Sequence, residues 1–194
     1  INYTARFEEE ADTPVTYTVS IETEGLSNDK FAAFIYTGIT QDETQKSYEL
    51  GSPVKLIAVQ DNNDVGSLGY AFVGWFLGET LVSENDEFDF NVTGDVTYKA
   101  KFVEGIRVSV RAERGWPSIY LLNSDKEVGG TSMSTLLVPG RQLKLSVNPE
   151  FGCRFVRWTV GEEEVSTDNP YITEPLNEAV TFKAICEPAS YQLT

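Results

Sequence analysis

The sequence predicts an all-β protein made of two tandem β-sandwich-like or half-barrel modules, antiparallel, with little or no helix. Three observations predict it. An eleven-residue signature, Gly69–Glu79, returns as Gly152–Glu162. Apolar and polar residues alternate with period two through most of the chain, the pattern of half-buried strands. Turn-forming pairs such as Glu24-Gly25, Leu50-Gly51, Leu77-Gly78, Gly94-Asp95 and Pro139-Gly140 interrupt that alternation at short intervals.

The elements follow in chain order. Tyr3-Thr4-Ala5-Arg6-Phe7 before Glu8 has the pattern of Tyr98-Lys99-Ala100-Lys101-Phe102 before Val103-Glu104, so residues 1–10 read as the last strand of an upstream repeat. After the Pro14 linker, Val15, Tyr17, Val19 and Ile21 put an apolar face on the first strand of a module spanning 11–104. Phe31 to Tyr36 is a continuous apolar run, rich in aromatic and β-branched residues, and reads as a buried strand. Val54-Leu56-Ala58, Phe88-Phe90-Val92 and Val96-Tyr98-Ala100-Phe102 each resume the alternation. A second module, 105–187, repeats the scheme with Ile106-Val108-Val110-Ala112, Leu143-Leu145-Val147 and Val180-Phe182-Ala184. Residues 188–194 read as a linker or the start of a next module. Strand lengths and turn spacing predict about six or seven strands per module.

The repeat is unequal. Trp75 and Trp158 are offset by 83, whereas Gly51 and Gly140 are offset by 89. The first copy therefore holds an insertion, placed at Asp61–Ser67, where a loop absorbs length at little entropic cost. Aligning Gly25 with Gly115 makes Trp116 the counterpart of Leu26. Phe72 and Trp75 lie at odd spacing, as do Phe155 and Trp158, so each pair straddles both faces of a regular strand.

Composition excludes whole classes of function. Thirty acidic residues against fifteen basic ones give a net charge of −15, the wrong sign for nucleic acid or an anionic lipid surface. Histidine is absent, which removes Ser–His and Cys–His nucleophile systems and the usual zinc sites. No catalytic residue, metal or cofactor is expected, and the chain is not expected to be an enzyme. Asp61–Asp64 and Glu84–Glu87 carry oxygen ligands of the kind calcium takes, but neither has EF-hand spacing and both read as solvated turns. Asn2-Tyr3-Thr4 and Asn91-Val92-Thr93 are formal glycosylation sequons.

The two cysteines occupy aromatic positions of the other copy, Cys153 that of Tyr70 and Cys186 that of Phe102. A paired exchange implies that the two strands are neighbours. Either the cysteines form a disulfide, as suits an exported protein, or they are two buried thiols acting as small hydrophobes.

Gly69-Tyr70-x-Phe72-x-Gly74-Trp75, a short Gly78-Glu79 turn, Val82-Ser83, and a closing Val96-Thr97-Tyr98-Lys99-Ala100-Lys101-Phe102 resemble the divergent internalin-type B-repeat of Listeria and Bacteroides surface proteins. The resemblance is strongest over 51–103 and 140–187. It implies tandem β-modules of a secreted or wall-anchored bacterial protein, acting as stalk, spacer or adhesive segment. It transfers no catalytic residue. Arg157, in place of the glycine before tryptophan, departs from the pattern, as do the longer segments 26–48 and 116–137.

Trp75 and Trp158 recur with their phenylalanines and read as core rather than as sugar-stacking platforms. Trp116 lies outside the repeated pattern. With Tyr120 it is either a ligand contact or a packing group against the neighbouring module near Phe102-Val103. The expected function is a spacer or adhesive segment at the bacterial cell surface or in a secreted protein. It is expected to be monomeric, contacting neighbouring repeats of its own chain and a host protein or glycan. The alternative is a carbohydrate-binding module using Trp116 and Tyr120.

Overall fold

A computed structural model describes residues 14–26, 32–38, 43–59, 69–122, 127–128 and 133–189. The expected upstream strand at 1–10, the insertion at Asp61–Ser67 with its Asp61–Asp64 cluster, and Tyr191–Thr194 lie outside the described residues. What is described is all-β, with no helix among the described residues.

The first unit comprises β1 (Thr16–Glu24), β2 (Ala33–Tyr36), β3 (Gln45–Glu49), β4 (Pro53–Ala58), β5 (Tyr70–Leu77), β6 (Thr80–Ser83), β7 (Glu87–Asn91) and β8 (Val96–Glu104). They form a five-stranded sheet in the order β3-β1-β8-β5-β6 and a three-stranded sheet in the order β2-β4-β7. The second unit comprises β9 (Ile106–Glu113), β10 (Gly115–Leu121), β11 (Glu127–Val128), β12 (Ser134–Leu137), β13 (Leu143–Pro149), β14 (Cys153–Val160), β15 (Glu163–Ser166), β16 (Tyr171–Ile172) and β17 (Val180–Pro188). Its sheets run β12-β9-β17-β14-β15 and β11-β10-β13-β16. The second architecture is the first with one short strand, β11, added. Short strands such as β6, β11 and β16 take both units above the six or seven expected.

The alternating faces do what their period requires. Val19, Ile21, Trp75, Ala100 and Phe102 of the larger sheet close on Ala33, Ile35, Val54, Leu56 and Ala58 of the smaller one. In the second unit Val108, Val110, Trp158, Phe182 and Ala184 close on Ile119, Leu143, Leu145 and Val147. Two facing layers with interdigitated inner side chains make each unit a β-sandwich. Among the described residues of the apolar run, Ala32, Ala33, Phe34 and Ile35 are buried and Tyr36 emerges.

Pairing is antiparallel except at one place in each unit. β1 runs parallel to β8, with Val19 beside Val96, and β9 runs parallel to β17, with Val108 beside Val180. The first and last strands of a unit thus lie side by side, and everything between them is the crossover that parallel neighbours need.

Two expectations from spacing are corrected. Phe72 and Trp75 do not straddle their strand: a β-bulge between Phe72 and Gly74 inserts one unpaired residue. Both rings then turn inward, 5.5 Å apart and edge-on. The same bulge between Phe155 and Arg157 brings Phe155 within 5.6 Å of Trp158. The alignment of Gly25 with Gly115 is also one residue out. Glu24 stands beside Lys101 and Glu113 beside Ile185, equivalent positions of the closing strands, so Gly25 corresponds to Arg114. Both take positive φ, 91° and 61°.

Candidate functional site

Trp75 and Trp158 are completely buried, which leaves neither as a platform for ligand. Trp116 is different. On β10 the inner residues are Pro117, Ile119 and Leu121; Trp116, Ser118 and Tyr120 face outward, with Trp116 61% exposed. Across the strand pair, Trp116 stands opposite Asn148, Ser118 opposite Ser146 and Tyr120 opposite Lys144. The Lys144 ammonium lies 4.9 Å from the Tyr120 ring centre, a cation–π contact that fixes the ring. Exposed Ile172 of β16 borders Lys144. The structure therefore brings Trp116 and Tyr120 onto one flat outer face. β9 carries the chain away from the Phe102–Val103 junction before the Arg114 turn, so Trp116 sits at the opposite end of the unit from it.

The first unit has a corresponding face that sequence reasoning missed. Tyr36 of β2 stands opposite Lys55 of β4, and Lys55 stands opposite Asp89 of β7. Lys55 donates a 2.8 Å hydrogen bond to Glu87 and lies 3.9 Å from Asp89. The bond to Glu87, followed by the charge of Asp89, raises the pKa of the Lys55 ammonium above its ordinary value. A groove of about 420 Å³ runs along Tyr36, Pro53, Lys55, Asp89 and Asn91. The signal in the sequence was there: Lys55 and Lys144 each stand four residues after the aligned glycines Gly51 and Gly140.

The units meet at a short joint. Only Gly105 separates β8 from β9, and its N–H donates to the Gly69 carbonyl at 2.8 Å. Leu136, buried on β12, packs so closely on Gly69 and Gly105 that a methyl group at either glycine would press on its side chain. Arg141 of the second unit pairs with Glu84 of the first. A small, partly open space at this seam is lined by Phe72, Glu84, Leu121, Leu136 and Arg141. Glu84 and Glu87, considered above as calcium ligands, each face a cation, Arg141 and Lys55. Among the described residues no cluster of three or more acidic, cysteine or histidine side chains is placed to hold a metal ion.

Cys153 and Cys186 lie on neighbouring strands, as the paired exchange implied. Cys186 is opposite Phe155 and Cys153 opposite Pro188, so the two are diagonal on one inner face. Both are free thiols in this structure. Burial, then the nearby Cys153 and Glu150, raises the Cys186 thiol pKa above its usual value.

The fold and these faces define a class: a tandem β-sandwich repeat protein whose distinctive surfaces are outer sheet faces and a short joint. Residues 37–106 match the divergent InlB B-repeat domain. No curated protein matches the chain. Among solved structures, the C-terminal fragment of pilus adhesin SpaC from Lactobacillus rhamnosus GG is similar over 93% of this chain and 100% of its own, at 12% identity and a TM-score of 0.32. The larger SpaC adhesin is similar over 89% of this chain and 31% of its own, at 12% identity and a TM-score of 0.29. The major pilin T-13 of Streptococcus pyogenes is similar over 90% and 97%, at 11% identity and a TM-score of 0.27. These are distant likenesses, and no property of those proteins is carried to this chain by them.

Proposed function

We propose that the chain is a non-enzymatic, semi-rigid segment of a bacterial cell-surface or secreted protein. Its modules, 11–104 and 105–187, hold an attached functional domain at a distance and present their outer faces for adhesion. The B-repeat match over 37–106 supports the setting. The observation that carries the mechanical reading is the joint, where a single residue links two strands and Leu136 and the Arg141–Glu84 pair close the gap. A linker without slack transmits orientation, whereas a flexible chain of many residues would let the modules tumble separately. An exported setting also keeps Cys153 and Cys186, on one inner face, as a candidate disulfide.

The joint gives the test. Small-angle scattering of the wild-type chain is expected to fit a single arrangement of the two modules. Leu136→Ala, which empties the contact with Gly69 and Gly105, is expected to require an ensemble of hinge angles while each module stays folded. Wild-type scattering that already needs freely jointed modules would overturn the spacer reading.

A second reading is favoured by one observation: Trp116 and Tyr120 share a flat face of β10. Four residues apart on one strand, they are separated by about 13 Å. Ser118, Lys144, Ser146 and Asn148 supply hydrogen-bonding groups around them. This is a surface for an extended glycan. Trp116→Ala is expected to weaken glycan-array binding with the fold intact, and binding unchanged from wild type would remove the reading.

A further inference from the structure

The outer face of the second unit is not alone in pairing a tyrosine with a lysine. Tyr36 faces Lys55 across β2 and β4 as Tyr120 faces Lys144 across β10 and β13. Neither tyrosine belongs to its unit's buried core. Tyr36 is 49% exposed and forms one wall of the groove of about 420 Å³, a volume within the range of small-molecule sites. The rest of the lining sets three polar residues beside Pro53, Val54 and Phe90. Lys55 brings donors only, Asp89 acceptors only, and Asn91 both.

That combination selects a ligand. A pyranose has one C–H face that lies flat against an aromatic ring and a rim of hydroxyls that both donate and accept. The positive charge of Lys55 is already balanced by Glu87 and Asp89, so the groove has no uncompensated cation for an anionic sugar. The net charge of −15 repels polyanions further. These charges disfavour an anionic ligand, and a neutral one needs no counter-charge.

We propose that the Tyr36–Lys55 groove is a second saccharide subsite, taking a neutral pyranose stacked on Tyr36 and hydrogen-bonded by Lys55, Asp89 and Asn91. It deepens the glycan reading of the Trp116–Tyr120 face by adding the other unit, and it can fail separately. Two sites on one semi-rigid chain would raise avidity for a polymeric glycan without any new contact.

The test is isothermal titration of the full chain with cellotetraose, mannotetraose and N-acetylchitotetraose at millimolar concentration. At least one probe is expected to bind with two sites per chain. Tyr36→Ala is expected to reduce these to one, and Tyr120→Ala to do the same from the other unit. Asp89→Ala alters a side chain that is 70% exposed, so the core is untouched. It is expected to weaken the first-unit site about tenfold, the scale of losing a good polar contact. Unchanged thermal unfolding of both first-unit variants controls for folding. If no probe binds, or if Tyr36→Ala and Asp89→Ala both leave the titration unchanged, the proposal is overturned. If Tyr120→Ala alone is silent while Tyr36→Ala abolishes binding, the first-unit site stands and the second-unit reading fails.

Discussion

Trp158→Ala is expected to destabilise the second unit by about 3–5 kcal/mol, a loss typical of truncating a large buried aromatic side chain. The ring is completely buried, packs on Phe155 at 5.6 Å, and lies at the centre of the cluster that joins both sheets. Its indole N–H also donates to the Asp168 carbonyl at 3.0 Å, tying the strand to the turn that follows β15. Here the two units differ. The Trp75 indole N–H is buried and has no hydrogen-bond partner among the described residues. Trp158→Phe therefore removes a satisfied bond, whereas Trp75→Phe removes a donor that was already unpaired. Urea denaturation is expected to find Trp158→Phe costlier than Trp75→Phe by about 1 kcal/mol. Equal costs would mean that the Asp168 bond contributes nothing.

Much of this architecture was legible because the chain states it twice. A core face repeated at period two, as in Val54-Leu56-Ala58 and Leu143-Leu145-Val147, fixes both the strand and the side it buries. The recurrence of Phe72-Trp75 as Phe155-Trp158 marked those rings as core even though strict alternation placed them on opposite faces. The bulge that reconciles the two is a one-residue irregularity, and nothing in a period-two pattern announces it. The parallel pairs β1–β8 and β9–β17 were hidden for a different reason. They join the two ends of a unit, and local sequence carries no record of which distant strands become neighbours.

The candidate faces were half legible. Trp116 stood out because it was extra, but Tyr36 did not, because it ends an apolar run and looked like part of the core. What separates Tyr36 from Ile35 is one step along the strand. Ile35 points to the sandwich interior and Tyr36 to Lys55 and the groove. The glycine alignment failed by a similar single step, since Gly25 and Gly115 are alike in type but only Gly25 holds a positive φ.

That last distinction predicts the other large effect. Gly25→Ala is expected to destabilise the first unit by about 3–5 kcal/mol, combining left-handed strain with overpacking. At φ 91° a methyl group on Gly25 would lie 1.8 Å from the Phe102 carbonyl oxygen and 2.8 Å from its carbon. Both are backbone atoms of β8, so no rotamer change relieves the clash. Either the turn after β1 or the end of β8 must move. Phe102 belongs to the core and β8 leads directly into the joint, so movement there disturbs packing and module orientation together. Gly51→Ala is the control. It has a similar φ of 81° but nothing within 4 Å of the added methyl, so only the conformational strain of about 1–2 kcal/mol remains. Arg114 shows that the equivalent turn of the second unit accepts a side chain at φ 61°. The extra cost at Gly25, beyond the strain it shares with Gly51, therefore comes from the Phe102 carbonyl. Thermal unfolding of the two alanine variants separates these causes. Equal losses for Gly25→Ala and Gly51→Ala would show that the approach of β8 to this turn is looser than the structure has it.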